Sequence, residues 1–188
     1  MTDIPETLDL LVALLERMSL EYVVMAGLAV RSYSIPRATY DIDFTIALDH
    51  KRLPELFDAL EEQEYVVPEP YRTGWVDTVK GLEVVKLKRY IGDQSLDVDL
   101  FLSSSEFQQE VLKRKRLVEV EGRKLWLVSP EDLILLKLLA DRPRDLVDVA
   151  DVLFMQGQLD VQYMRHWAAE LGIAQELEQA LADRATDG

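Results

Sequence analysis

Two aspartates in the stretch RATYDIDFTI, residues 37–46, are the side chains of this sequence best suited to chemistry. Asp41 and Asp43 lie one residue apart in a run that is otherwise mostly β-branched or aromatic, which predicts a strand although strands disfavour aspartate. Side chains alternate across a strand, so both carboxylates point the same way with Cα atoms about 7 Å apart. Because Phe44 and Ile46 indicate a buried strand, where unpaired carboxylates are costly, a shared divalent cation is the favoured explanation. An exposed edge strand that carries solubilising charge is the alternative.

A second acidic strand is predicted about fifty residues later, in SLDVDLFLS. Alternation puts Asp97 and Asp99 on one face and the apolar residues on the other. If this strand pairs beside the first, Asp99 joins Asp41 and Asp43 to form a set of three carboxylates, and Asp97 is a reserve for Asp99. Three carboxylates on adjacent strands are typical of two-metal phosphoryl and nucleotidyl transfer, and Mg²⁺ suits them because it takes a few carboxylates plus substrate phosphates.

A turn suited to phosphate lies just upstream of the first aspartate pair. The apolar run YVVMA, which predicts a strand over Tyr22–Ala26, ends at Gly27, and a short helix is predicted to begin at once. Small residues let the backbone approach a ligand, and a helix N-terminus presents free N–H groups to an anion. A tight turn explains the same residues equally well when they are considered alone.

Composition narrows the class of protein. The 188 residues suffice for one domain, or one domain with a small appendage, and 48% of them are apolar. Cysteine is absent, and His50 and His166 are too few for a histidine-based metal site. We expect a cytoplasmic protein, since the sequence shows neither a signal peptide nor an apolar run long enough to span a membrane. The formal charge of −14 argues against a protein that coats DNA non-specifically.

The elements that must position these residues divide the chain near residue 128. Before it, the pattern predicts helices over Thr7–Ser19, Leu28–Tyr33 and from Asp49 to Glu64, and hairpins that turn at 91–94 and 121–122. A Pro-rich loop is predicted in PEPYRTG, residues 68–74. After it, Ser129 caps a helix with Pro130 at its first position, and only helices follow. The sequence therefore predicts an α+β fold, with an α/β core at 1–128 and helices at 129–188 packed on it.

The succession VVMAGLAVRSYSIPRATYDIDFTI and then LDVDLFL resembles the nucleotidyltransferase superfamily that includes DNA polymerase beta. More narrowly, it is similar to bacterial minimal nucleotidyltransferases related to abortive-infection toxin–antitoxin proteins. The later segment SPEDLILLKLLADRPRDLVDVADVL is similar to the helices these proteins carry after the catalytic sheet. The family pattern falls on the following residues: Ala26, Gly27, Arg37, Thr39, Asp41, Asp43, Asp99, Lys137, Arg142 and Asp145. Ala26 departs from it, because the family has a glycine there.

The resemblance implies a fold, an activity and roles for these residues. The fold is a mixed β-sheet flanked by helices, with a C-terminal helical bundle. The activity is Mg²⁺-dependent transfer of NMP from an NTP, such as ATP, to an acceptor hydroxyl, with release of pyrophosphate. Asp41 and Asp43 would hold both metals, and Asp99 would bind the catalytic metal and favour deprotonation of the acceptor. The implied nucleotide contacts are Ala26, Gly27, Arg37 and Lys137.

Several alternatives stay open at this stage. The acceptor is a tRNA 3′ end, a protein or a small molecule, and a toxin or antitoxin partner is implied by the resemblance. Arg37 steers triphosphate or pairs with Asp41, and Lys137 contacts phosphate or extends past leucines towards solvent. A degenerate relative that binds a nucleotide or a partner without chemistry is the rival function. A DNA-binding regulator is a weaker rival, based on WAAELGIAQELEQAL, because the surface is acidic.

Overall fold

The computed structural model describes residues 4–34, 41–120 and 122–186, and it contains one mixed sheet with helices on both sides. Its helices are α1 (Ile4–Arg17), α2 (Ala26–Tyr33), α3 (Leu53–Glu61), α4 (Glu69–Arg72), α5 (Glu106–Lys113), α6 (Pro130–Ala140), α7 (Pro143–Met155), α8 (Val161–Glu170) and α9 (Ala174–Thr186). Its strands are β1 (Tyr22–Val24), β2 (Asp41–Ile46), β3 (Tyr65–Val66), β4 (Asp77–Val79), β5 (Leu82–Ile91), β6 (Gln94–Leu102), β7 (Arg116–Val120) and β8 (Arg123–Leu127). The predicted α+β class is confirmed.

The sheet brings together strands that are far apart in sequence. Its order is β3-β5-β6-β2-β1-β8-β7, and β4 pairs separately with β5. The strand β2 runs parallel to β6 and antiparallel to β1. The two predicted hairpins are the pairs β5–β6 and β7–β8. The acidic strands β2 and β6 are therefore neighbours near the middle of the sheet.

One face of β2 and β6 packs into the hydrophobic core. Ile42, Phe44 and Ile46 of β2 are fully buried, as are Val98 and Leu100 of β6. The aspartates alternate with these residues, so they lie on the opposite face. The period-two pattern in the sequence thus predicted which side of each strand is apolar.

The C-terminal helices pack on the sheet and on one another. The helix α6 begins as predicted, since the Ser129 hydroxyl accepts a hydrogen bond from the Asp132 N–H at 3.1 Å. It contacts α7, α8, α9 and also α2 of the N-terminal part. One core cluster includes residues from both parts, such as Leu8 and Leu177. The division into two units near residue 128 stays a prediction.

Local patterns missed some details between β2 and β5. Asp49 does cap a helix, but the helix is a 3₁₀ turn over His50–Arg52, in which the Asp49 carboxylate accepts a hydrogen bond from the Lys51 N–H. The α-helix α3 begins only at Leu53 and ends at Glu61. The predicted Pro-rich loop contains α4, and β4 follows it. A strand of three residues is too short to give a periodic pattern, and β4 is defined only by its pairing with the outer edge of β5.

No helix in the described ranges is both long and apolar enough to cross a membrane.

Candidate active site

The register between β2 and β6 places the predicted carboxylates side by side. Asp43 is the direct partner of Asp99, and Asp41 is the direct partner of Asp97. Neighbouring strands lie about 4.8 Å apart, and partners in register project to the same face. The sheet therefore brings Asp41, Asp43 and Asp99 to one face, as the sequence predicted for strands that pair.

The electrostatics of this face show that the three carboxylates repel one another. Burial, followed by repulsion from Asp41 and Asp99, raises the pKa of Asp43 to about 7, and the cations Lys137 and Arg142 oppose the increase. Burial also raises the pKa of Asp99, against the attraction of Lys86. A ligand that supplies positive charge between the carboxylates would relieve this repulsion and stabilise the site.

The donor set fits Mg²⁺ in chemical type, but its side chains do not converge in this conformation. Carboxylate oxygens are the ligands that this hard cation prefers. Among the residues that the structure describes, no three histidine, cysteine, aspartate or glutamate side chains lie close enough together to hold a metal ion. Asp41 is exposed and Asp43 and Asp99 are partly buried. An ion at this face therefore requires side-chain rotation, whereas the backbone register is already in place.

The turn before α2 abuts the carboxylates directly. The Met25 N–H donates to the Asp43 carbonyl at 2.8 Å, which ties the end of β1 to β2. Ala26 then has a φ of 47°, in the left-handed region that favours glycine. No side chain caps α2, so N–H groups of its first turn are available to an anion. Ala26 and Gly27 line a cavity of about 110 Å³ together with Asp41, Lys137 and Arg142.

Lys137 lies at the back of this cavity in a buried ion-pair cluster. Its ammonium contacts Asp145 Oδ1 at 2.6 Å and Asp148 Oδ2 at 2.9 Å, and all three side chains are buried. Arg142 Nε donates to the other oxygen of Asp145 at 2.6 Å. Arg142, Asp145 and Asp148 thus form a salt-bridge cluster with Lys137 at its centre. Burial alone would raise the pKa of Asp145, but hydrogen bonds from Arg142 and Lys137 lower it.

Other predicted residues lie apart from this cluster or outside the described ranges. Asp97 is exposed and pairs with Lys88 at 2.9 Å, as expected for a residue beside the site. Arg37 and Thr39 lie outside the residues that the structure describes. A larger cavity, of about 480 Å³ between α6, α7 and α9, contains none of the predicted site residues.

Sequence reasoning missed the contribution of the β4–β5 turn. Val79 and Lys80 line a second cavity, of about 90 Å³, together with Asp43 and Lys137. Lys80 has a φ of 51° and precedes Gly81, whose φ is 82°. The pair Lys80-Gly81 between two apolar runs is a turn signal in the sequence, but nothing local indicates that the turn reaches Asp43.

Solved structures with the same fold are similar to this chain at low sequence identity. The antigenic nucleotidyltransferase-like protein from Paracoccidioides brasiliensis is 21% identical, with a TM-score of 0.55, over 96% of this chain and 93% of its own. The antibiotic-resistance factor ANT(2″)-Ia, in a solution structure, is 17% identical, with a TM-score of 0.57, over 92% and 94%. The lincosamide antibiotic adenylyltransferase LnuA, bound to lincomycin, is 16% identical, with a TM-score of 0.54, over 80% and 97%. These likenesses establish the fold.

The family comparison covers almost the whole chain. Among curated protein sequences, none matches it. The family described as "Nucleotidyltransferase of unknown function (DUF6036)" matches residues 1–184, which include the turn before α2, both acidic strands and the helices after the sheet. The chain therefore belongs to this family of nucleotidyltransferases.

Proposed function

We propose that this protein transfers NMP from an NTP to an acceptor hydroxyl, with Mg²⁺ held by Asp41, Asp43 and Asp99. The observation that carries the proposal is the parallel register of Asp43 with Asp99, beside a cavity lined by Ala26 and Gly27. A partly buried face that concentrates carboxylates is costly unless a cation compensates their charge. A nucleoside triphosphate with its metal ions supplies that cation and uses the adjoining turn.

The proposed reaction is an in-line displacement at the α-phosphorus. The acceptor oxygen forms a new bond to phosphorus, the bond from phosphorus to the α–β bridging oxygen breaks, and pyrophosphate leaves with the electron pair. The hydroxyl proton passes to the Asp99 carboxylate, which acts as the general base. When bound, Mg²⁺ lowers the pKa of the acceptor hydroxyl and neutralises charge on the phosphates.

Phosphate binding is assigned to the turn and to Arg142 rather than to Lys137 alone. The N-terminus of α2 offers backbone N–H groups, and the side chain of Arg142 is 67% exposed at the cavity. The positive charge of Lys137 is already neutralised by two carboxylates, so Lys137 acts on the phosphates mainly by electrostatic attraction at a distance. Arg37 stays part of the proposal as a triphosphate contact.

The acceptor is proposed by class. Relatives of the same fold include LnuA, an adenylyltransferase seen with lincomycin, and ANT(2″)-Ia, seen with adenylyl-2″-tobramycin, which makes small-molecule hydroxyls one class to test. A tRNA 3′ end and a protein hydroxyl are the others. A toxin or antitoxin partner and a cytoplasmic setting belong to the proposal through the sequence resemblance.

A transfer assay tests the proposal directly. The protein is incubated with each α-³²P-labelled NTP and Mg²⁺ in the presence of total tRNA, lysate protein, aminoglycosides or lincosamides. The variants Asp43→Asn and Asp99→Asn should fold and lose transfer, whereas Asp97→Asn, a matched change on the exposed neighbour, should retain it. Transfer at the wild-type rate by Asp43→Asn would sink the proposal.

A nucleotide-binding protein without chemistry is the second candidate function. Two observations favour it: Ala26 occupies a left-handed position next to the phosphate cavity, and the carboxylates of the described residues do not converge. Calorimetry with Mg²⁺ and ATP, run beside the transfer assay, separates the two functions. Binding that depends on Asp41, together with no labelled product from any acceptor class, would support this alternative.

A further inference from the structure

The outward face of β5 carries an exposed aromatic residue and two lysines. Val85, Leu87 and Arg89 are buried on the core side of the strand. The alternate residues Lys86, Lys88 and Tyr90 are exposed on the other side, and Tyr90 is 56% exposed. From Lys86 to Tyr90 the strand spans about 13 Å.

These residues share their face with the carboxylates of the candidate active site. Lys86 is the direct partner of Asp99, and Lys88 is the direct partner of Asp97. The Lys86 ammonium forms no direct salt bridge with any residue that the structure describes, although it attracts the neighbouring Asp99 carboxylate, whereas Lys88 pairs with Asp97 at the surface. An exposed pair of this kind contributes little and is readily exchanged for another anion. Two lysines beside Asp99 are therefore available to an anionic ligand.

Trp75 adds a second aromatic ring at the edge of this face. Its ring is 60% exposed, and its Nε1 donates to Asp77 Oδ1 at 2.9 Å. The Tyr71 hydroxyl donates to Asp77 Oδ2 at 2.7 Å, so both oxygens of this carboxylate are engaged. Asp77 is in register with Val84, two residues from Lys86 and on the same side of the sheet. The indole is thus anchored in solvent by a hydrogen bond to the Asp77 carboxylate.

We propose that this surface, formed by Trp75, Lys86, Lys88 and Tyr90 and named the stacking face, binds the single-stranded 3′ end of a nucleic acid as the acceptor. The inference rests on the proposed function, since the 3′-hydroxyl is the group that Asp99 would activate. Bases stack on exposed aromatic side chains, and lysines follow the phosphates between them.

The overall charge of −14 does not conflict with this acceptor. Few phosphates are contacted, so affinity depends mainly on stacking, and its salt dependence should be shallow. For single strands the slope of log K against log salt is about −0.7 for each phosphate neutralised, which gives about −1.4 for two lysines.

Fluorescence anisotropy with a 5′-fluorescein-labelled hexaribonucleotide tests the proposal on the full chain. The variants Trp75→Ala and Tyr90→Ala should each weaken binding by about 5- to 100-fold. Lys86→Gln should weaken binding and reduce the salt slope by about 0.7. Two matched controls lie outside the stacking face: Phe154→Ala removes an exposed aromatic ring of α7, and Lys124→Gln removes an exposed lysine of β8. Both variants should bind the hexamer as the wild type does.

The outcomes separate this inference from the proposed function. Equal affinities for Trp75→Ala and Phe154→Ala, or no binding of the hexamer, would overturn the stacking face. If the labelled product of the transfer assay is a polycationic small molecule, that result would also overturn the stacking face. Failure of Asp43→Asn to affect transfer would instead overturn the proposed chemistry, and binding of the hexamer would be unaffected. If Trp75→Ala does not fold, Trp75→Phe should keep the binding, and Tyr90→Ala decides the result.

Discussion

Lys137 offers the sharpest test of how the site is held together. Its ammonium contacts two carboxylates at 2.6 and 2.9 Å, and Lys137, Asp145 and Asp148 are 5%, 1% and 1% exposed. In Lys137→Met, a side chain of similar length fills the space, but Asp145 and Asp148 lose the ammonium between them, and Asp145 keeps only its contact with Arg142 as an ion pair shown here. Removing one partner of a buried ion pair costs about 3–5 kcal/mol, because the remaining charge stays desolvated. For a chain of this size, that corresponds to a fall in Tm of about 6–20 °C.

Urea unfolding at pH 7, followed by circular dichroism and tryptophan fluorescence, measures this effect. The change Lys137→Met should move the midpoint strongly, and adding Asp148→Asn should recover part of the loss by removing one buried negative charge. The control is Lys113→Ala, because Lys113 makes an exposed pair with Glu110 and its removal should leave the midpoint unchanged. A Lys137→Met variant that unfolds within about 1 kcal/mol of the wild type would refute the buried-cluster reasoning.

Three further predictions follow from the site and its supports. Burial and its carboxylate neighbours raise the pKa of Asp43 to about 7, so the metal-free fold loses stability as pH rises through 7. Asp43→Asn should therefore have a higher Tm than the wild type at pH 8 in EDTA, and this advantage should shrink towards pH 4; a constant difference would contradict the assignment. Ala26→Gly should relieve the left-handed strain at φ 47°, stabilise the protein by about 0.5–1 kcal/mol and tighten Mg²⁺–ATP binding in calorimetry. Lower stability and weaker binding together would count against that reading. Tyr163→Phe should cost about 1–3 kcal/mol in urea unfolding, because the Tyr163 hydroxyl donates to Oδ1 of the fully buried Asp132 at 2.5 Å, whereas Ser129 donates to Oδ2. No loss of stability would contradict the assigned role of the Tyr163 hydroxyl.

Sequence reasoning predicted several residues of the candidate site from local signals. Asp41 and Asp43 face one way through the alternation of a strand, and the serine, proline and acidic residues at 129–132 start a helix through capping. The turn before α2 was also predicted from local sequence, because the apolar run YVVMA ends at Gly27. Alternation in SLDVDLFLS also predicted Asp99, on the condition that the two acidic strands pair. The resemblance added Lys137, Arg142 and Asp145, which lie far from these strands in the chain.

The environment of each residue could not be predicted in the same way. The sequence left Lys137 open between a phosphate contact and a solvent-seeking lysine, but the helices α6 and α7 bury it between two carboxylates. The ring of Trp75 is 60% exposed, and its neighbours in sequence do not predict this exposure. Its position depends on β4, a strand defined only by pairing with β5.

The sequence by itself determined which residues share a side of each strand and where the main helices begin. These properties depend on backbone periodicity and on hydrogen bonds between near neighbours, which a short stretch of chain contains. Only the tertiary structure decided that Asp43 lies opposite Asp99 and that Lys86 shares their face. Register between distant strands is set by the packing of the whole apolar face, since a shift of one residue would turn every buried side chain outwards.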